Sequence, residues 1–189
     1  MICGLTSGRA KQCKDSIAGF DVVYLFPFVK YSRSQIILDD NKVTTFPATT
    51  IFKFEVLSPT LTEDPNEDGG GKFYSQSLSF NLAKFDIIDN LELVKLIKKD
   101  YRAIVLDRNG NNRIVGLYNG LIAELAKVTG SGKGDFNGYK ITMEGQEALS
   151  AFFIDDLSDA GFTISEDNFL LLEDGSFLLL EDNERIILE

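Results

Sequence analysis

The sequence contains no histidine and no tryptophan, and only two cysteines, Cys3 and Cys13. Without histidine, the Ser-His-Asp and Cys-His nucleophile arrangements are excluded, and so is every His-ligated metal site. Two cysteines ten residues apart in a turn-rich segment leave two readings open, a disulfide or a pair of free thiols in a reducing compartment. The second is preferred. No apolar run approaches the roughly 18 residues of a membrane span. The first residues, Met-Ile-Cys-Gly-Leu-Thr-Ser-Gly-Arg-Ala, lack a basic region followed by an apolar block, so no signal peptide is expected and the chain is expected to stay, or assemble, in the cytoplasm. Basic residues are also scarce. Lys and Arg total 19 against 29 Asp and Glu, giving a net charge of −10. That argues against an obligate nucleic-acid binder, which needs a basic footprint, while an acidic wall past which DNA slides stays compatible.

The 189 residues suffice to bury a core without staples, and the apolar fraction of 44% is that of a globular protein. The strongest local signal is Tyr101 to Gly145. Tyr-Arg-Ala-Ile-Val-Leu and Arg-Ile-Val-Gly-Leu-Tyr flank Asp107-Arg-Asn-Gly-Asn-Asn112, the pattern of a β-hairpin. Further Asn-Gly pairs at Asn119-Gly120 and Asn137-Gly138 punctuate two more strands, so the stretch reads as one antiparallel meander. Upstream, Phe20 to Val29 is a strand, with Pro27 marking an edge or an end. Gln35–Leu38 and Lys42–Thr45 form a small hairpin. Thr49 to Leu57 is a strand with Phe52, Phe54 and Val56 on one face and Lys53 and Glu55 on the other. Its expected partner is Phe73 to Leu82, across a long acidic loop, Ser58 to Lys72. One helix is expected over Ile88–Lys99, capped by Asp89 or Asn90, with Leu91, Val94 and Ile97 as its apolar stripe and Leu93 and Leu96 flanking. Gln146 to Ile154 is read as a strand.

Three stretches invite chemical readings. Thr129-Gly-Ser-Gly-Lys-Gly-Asp135 looks like a phosphate loop, but the Walker spacing fails and no Ser or Thr follows the Lys, so a hairpin loop is preferred. Asp64-Pro-Asn66-Glu-Asp68-Gly69 matches the first half of a calcium loop, but the twelfth position is Ser75 rather than Glu, so an acidic solvated loop is preferred. Near the C-terminus, Phe169-Leu-Leu-Leu-Glu-Asp-Gly-Ser, Phe177-Leu-Leu-Leu-Glu-Asp-Asn-Glu and Arg185-Ile-Ile-Leu-Glu repeat every eight residues, which fits a short β-meander. Its Glu-Asp pairs sit at turns, where water keeps paired carboxylates from taking different catalytic roles. No catalytic, metal or cofactor residue is expected.

The fold class expected is mainly β: an antiparallel β-sandwich or rolled barrel with one packed α-helix, plus the C-terminal meander. The divisions are an arm over 1–19, a β domain over 20–155 and a repeat segment over 156–189. The run Ile104-Val-Leu-Asp-Arg-Asn-Gly-Asn-Asn-Arg-Ile-Val-Gly-Leu-Tyr-Asn-Gly-Leu121, then Thr129-Gly-Ser-Gly-Lys-Gly-Asp-Phe-Asn-Gly-Tyr-Lys-Ile-Thr142, then Glu144-Gly-Gln-Glu147, resembles the tail-tube and related structural tail proteins of tailed bacteriophages, in the form found in phages of Bacteroidetes-type hosts. The resemblance covers residues 73–153 well and the N-terminal half loosely, and it rests on turn signatures.

It implies a virion protein assembled in the host cytoplasm. Its subunits would form hexameric rings stacked into a tube through which DNA passes without tight binding, with no cofactor. It further implies that the long loop, through Thr62, Glu63, Asp64, Asn66, Glu67 and Asp68, packs against the next ring. The C-terminal repeats lie outside the usual limits of such a domain and fit the alternative of a connector, tail-hub or ring protein. A monomeric ligand-binding β-sandwich is the remaining alternative. Phe169, Leu171, Phe177, Leu179, Ile186 and Leu188 are expected to be covered by the same subunit or a neighbour, because an exposed apolar edge invites uncontrolled pairing. Truncation after Gly161 is therefore expected to cost solubility or assembly in a sedimentation assay.

Overall fold

Alternating apolar runs bounded by glycine and Asx turns make strand the dominant element among the described residues. The computed structural model describes residues 17–165, the side chains of residues 88 and 89 apart. The strands are β1 Phe20–Pro27, β2 Ile37–Asp39, β3 Lys42–Thr45, β4 Thr49–Glu55, β5 Leu57–Asp68, β6 Gly71–Ala83, β7 Tyr101–Asp107, β8 Asn112–Val115, β9 Ile122–Thr129, β10 Asn137–Glu147, β11 Phe152–Ile154 and β12 Phe162–Ser165. One α-helix, α1 (Ile87–Leu96), lies between β6 and β7. An eight-stranded sheet has the order β12-β4-β1-β7-β8-β11-β3-β2, and a four-stranded sheet the order β5-β6-β10-β9. The fold is thus the expected mainly β sandwich with one helix among the described residues. Cys3, Cys13 and the C-terminal repeats with Phe169, Leu171, Phe177, Leu179, Ile186 and Leu188 lie outside the described residues.

The large sheet is covered on both faces, and its sequence shows it. Along β1, Val23 and Leu25 enter a core between the two sheets, together with Leu78, Phe80, Ile141 and Met143. Tyr24 and Phe26 point the other way, into a second core with Ile51, Ile104, Phe46 and Phe162. Strands buried on both faces read as continuous apolar runs rather than alternating ones, as β1 and β7 do. In the second core Phe46 stacks on Phe162 at 4.9 Å between ring centroids, and Phe26 meets Phe46 edge-on at 5.9 Å. Such ring pairs add about 0.5–1.5 kcal/mol each beyond area burial.

Several sequence expectations are corrected. The Tyr101–Gly145 stretch is two hairpins in different sheets. β7 pairs β8 in the large sheet and β9 pairs β10 in the small one. Between them the chain turns a corner at Gly116–Leu121, where Gly116 and Gly120 take φ of 71° and 78°, the left-handed region that favours glycine. Ser58–Lys72 is not a loop. It forms the outer part of a long hairpin, β5 and β6, closed by Gly69 and Gly70. Its Pro59 and Pro65 lie on β5, an edge strand, where a missing N–H leaves no gap in the ladder. β4 consequently pairs β1 and β12, not β6. Ile51, which joins the second core, rather than Phe52 is its buried residue there.

In α1 the helical bond from Asn90 N–H to the Asp86 carbonyl (3.0 Å) starts the helix ahead of Asp89 and Asn90, which therefore lie inside it rather than at its cap. Leu93 and Leu96 are its buried face, while Leu91 and Ile97 are exposed. Gln146–Ile154 splits into the end of β10 and β11. The domain expected over 20–155 continues through β12, which lies parallel to β4 with Phe162 opposite Thr49. A truncation that isolates the repeats must therefore keep Ser165.

The corner yields a direct stability test. A Cβ on Gly116 would stand 2.7 Å from Leu121 Cγ. Gly116→Ala is expected to lower the unfolding free energy by about 1–3 kcal/mol in urea denaturation.

Candidate functional site

Two features carry the site: an open sheet face, and the buried polar corner that sets its position. In an antiparallel ladder, directly opposed residues share a face. Starting from the buried Leu78, Ile141 and Met143, the register of the small sheet puts the alternate residues on its outer face. These include Thr60, Thr62 and Asp64 on β5, and Ser75, Ser77 and Ser79 on β6. On β10 they are Lys140, Thr142 and Glu144, and on β9 Glu124 and Ala126. The face is small and mostly polar, with Ile122, opposite Glu144, as an exposed apolar residue on it. It carries Asp64, Asp68, Glu124 and Glu144 against one lysine, Lys140, all exposed. Both outer strands of this sheet, β5 and β9, have a neighbour on one side only.

The residues expected to contact a neighbour divide by parity. Thr62, Asp64, Asn66 and Asp68 belong to the open face, and Asn66 Nδ2 donates to Ser75 Oγ at 2.9 Å. Glu63 and Glu67 belong to the opposite face. Glu63 accepts from the Ala151 N–H at 3.1 Å, and Glu67 lies 3.9 Å from Lys72. Beyond the Pro65–Tyr74 pair, which still faces Glu147 of β10, the hairpin continues alone through Asn66–Phe73. Three more ladder pairs at about 3.4 Å per residue make an overhang of roughly 10 Å.

An extended strand spaces Asp64, Asn66 and Asp68 about 7 Å apart, too far to share one calcium ion at its roughly 2.4 Å bonds. Among the described residues no group of three or more acidic or thiol side chains could hold a metal. The Gly130–Asp135 loop joins β9 to β10 and binds its own anion. The Asp135 carboxylate accepts from Gly132 N–H at 2.7 Å and Ser131 N–H at 2.9 Å. These bonds hold its pKa below the usual carboxylate range and occupy the amides a phosphate would need.

The corner is the part that sequence reading missed. Gln76, Arg102 and Glu147 are 2%, 1% and 2% exposed, and all three bind residues 116–119. Gly116 N–H donates to Gln76 Oε1 at 2.9 Å. Tyr118 and Asn119 N–H both donate to Glu147 Oε1 at 2.8 Å. Arg102 donates to the Leu117 and Val29 carbonyls at 2.9 and 2.8 Å. The Arg102 guanidinium also lies 4.3 Å from the Phe28 ring centroid and 5.3 Å from that of Tyr31. Gly145, opposite Gln76, leaves room for the corner, since a Cβ there would meet the Gly120 carbonyl at 2.5 Å. Tyr101 and Leu121 then exchange backbone bonds of 3.0 and 2.7 Å, joining the sheets.

Burial lowers the Arg102 pKa to about 10, against the opposing influence of Tyr31 and Glu147. Burial raises that of Glu147, against the N–H donors of Asn119 and Tyr118 and the charge of Arg102. One sequence signal could have pointed to Arg102, a lone cation inside an otherwise apolar strand.

A cavity of about 350 Å³ lies elsewhere, at the seam near Phe20, Thr60, Asp107 and Arg113. Burial works to raise the Asp107 pKa, but hydrogen bonds from Asn111 and Asn109 and the Arg113 charge outweigh it and hold the carboxyl low. Asp107, the carboxylate among the described lining residues, is therefore held low rather than raised as a general acid would need. No family model, no curated protein and no solved structure matches the chain.

Glu147 has a testable sign. A carboxyl whose folded pKa is raised contributes stability below its unfolded value, near 4.3, and loses it as pH rises through the folded value. Glu147→Gln keeps an acceptor for Tyr118 and Asn119 and removes the charge. The stability of wild type minus that of Glu147→Gln is expected to fall as pH rises from about 4 toward 7. A difference flat across that window in urea denaturation would show that the carboxylate is not desolvated.

Proposed function

We propose that the chain is a virion structural protein, a tail-tube-like subunit whose four-stranded sheets join edge to edge into a ring around a DNA channel, the rings stacking into a tube. Beside the sequence resemblance, one observation carries the reading: the small sheet has two unpaired long edges and an open face that is mostly polar and biased toward acid. β5 and β9 run in opposite directions, as the shared antiparallel ladder requires. β5 of one subunit can therefore pair β9 of the next while all subunits point the same way, in a ladder that lacks donors at Pro59 and Pro65. A long exposed edge is a liability unless something covers it, and ring closure removes both edges at once. Six such sheets, at 4.7–4.9 Å per strand, enclose a circle roughly 35–40 Å across at the backbone. Barrels of only about 16–18 strands already leave an aqueous channel. An acid-biased lining repels phosphates and suits passage rather than retention.

The subunit needs no reaction and no cofactor in this reading. Its work is protein–protein contact, in a tail assembled in the host cytoplasm. The β5–β6 tip takes the inter-ring role, with Asn66, Glu67 and Asp68 on its overhang and Asp64 just short of it. A monomeric ligand-binding sandwich is the second reading, favoured only by the seam cavity.

Negative-stain microscopy of the purified chain separates the alternatives. Stacked rings are expected. Rings that never stack indicate a connector or hub, and a monodisperse monomer at every concentration indicates the ligand-binding sandwich. A variant that replaces Asn66–Phe73 by Asn-Gly removes the overhang and retains the Pro65–Tyr74 pair. That variant is expected to form single rings without stacks. DNA retention at physiological salt should be undetectable, and tight binding with a steep salt slope would overturn the channel reading.

A further inference from the structure

The small sheet is charge-polarised along its strands. At the end where β5 meets β6, the tip carries Asp64, Glu67 and Asp68, with Lys72 as the accompanying cation, 3.9 Å from Glu67. The opposite end, where β6 stops and β9 turns into β10, carries Lys84, Lys127, Lys133 and Lys140, all exposed, with Asp86 and Asp135 beside them. None of these four lysines is in an ion pair among the described residues. Two are held on ordered backbone. Lys84 has a left-handed φ of 69° and its N–H is fixed on the Asn137 carbonyl at 2.9 Å. Lys133 sits in the loop that the Asp135 carboxylate ties together. A left-handed backbone is unfavourable for lysine, and a fixed backbone leaves only side-chain freedom to be lost on meeting a partner.

Resting on the tail-tube reading above, we infer that the lysine end of one subunit is the docking surface for the acidic hairpin tip of a second copy of this chain in the next ring. Stacking is then head to tail. The overhang past β10 is the part of the tip free to reach across. Complementary potentials of this kind set register and partner choice more than bulk affinity. Like ends repel, so tip-to-tip and loop-to-loop contacts are disfavoured. The charges are exposed, so salt weakens the contact.

The test is a charge exchange between full-length chains. One variant carries Asp64→Lys, Glu67→Lys and Asp68→Lys, and the other Lys84→Glu, Lys127→Glu and Lys133→Glu. All six positions are exposed, and circular dichroism checks that each variant keeps its β signature. Each alone is expected to give single rings in negative stain, with stacked particles reduced at least about tenfold, and an equal mixture is expected to recover stacks of alternating rings. Wild-type stacks are expected to shorten as salt rises from about 0.05 to 0.5 M. If rings form but each variant stacks as wild type does, or the mixture does not recover stacking, the docking inference fails and the tube reading stands. If the wild-type chain forms no rings, the tube reading fails and takes the inference with it. DNA retention by wild type that is lost in the lysine variant would assign these lysines to phosphate and overturn the docking role.

Discussion

Everything above the level of the single hairpin depends on how the chain is held where it passes from one sheet to the other. At Gly116–Leu121 the backbone leaves β8 and cannot supply its own ladder partners. Buried amides and carbonyls without partners are costly, and here side chains provide them. Gln76 and Glu147 accept from the turn's N–H groups, and Arg102 donates to its carbonyl. These three residues come from β6, β10 and β7, so both sheets grip one turn. The single bridge between Tyr101 and Leu121 ties the two sheets together beside this turn, and so helps to position the open face and its two edges. A buried charge held this way is weak as a source of net stability and strong as a constraint on geometry.

The sequence made some of this plain and hid the rest, for physical reasons. The continuous apolar runs of β1 and β7 announce strands because both faces are buried. Asn and Gly announce turns because few other residues accept their backbone angles. Ser58–Lys72 failed as a strand signal because one of its faces meets solvent and the other is largely past the core. Its polarity and prolines, which mimic a loop, are properties of an edge strand. Pairing partners were the least legible. β4 and β6 both alternate, and nothing local says that one sheet ends and another begins at Val56–Ser58. Likewise, four turn-separated strands look like one meander until a long-range contact such as Gln76 with Gly116 draws the corner.

The candidate site follows the same division. The acidic residues from Asp64 to Asp68 stand out in the sequence as a charge cluster. Their sorting into two faces requires the register, which brings Asn66 to Ser75 and sends Glu63 to Ala151. Arg102 and Glu147 act only through positions far apart in the chain, so neither spacing nor composition could join them.

The last described strand has a consequence for how the chain acquires its shape during synthesis. β12 pairs in parallel with β4, and Phe162 completes the aromatic cluster of Phe26 and Phe46. Until the ribosome has released residue 165, the flank of β4 with Ile51 stays open and the second core lacks one of its rings. Non-local pairings form late because loop closure must precede any gain from contact. The nascent protein therefore carries an unfinished sheet until every strand that precedes β12 has been made. Protection of the Ile51 amide against hydrogen exchange should develop late in refolding, after the amides of the β9–β10 hairpin.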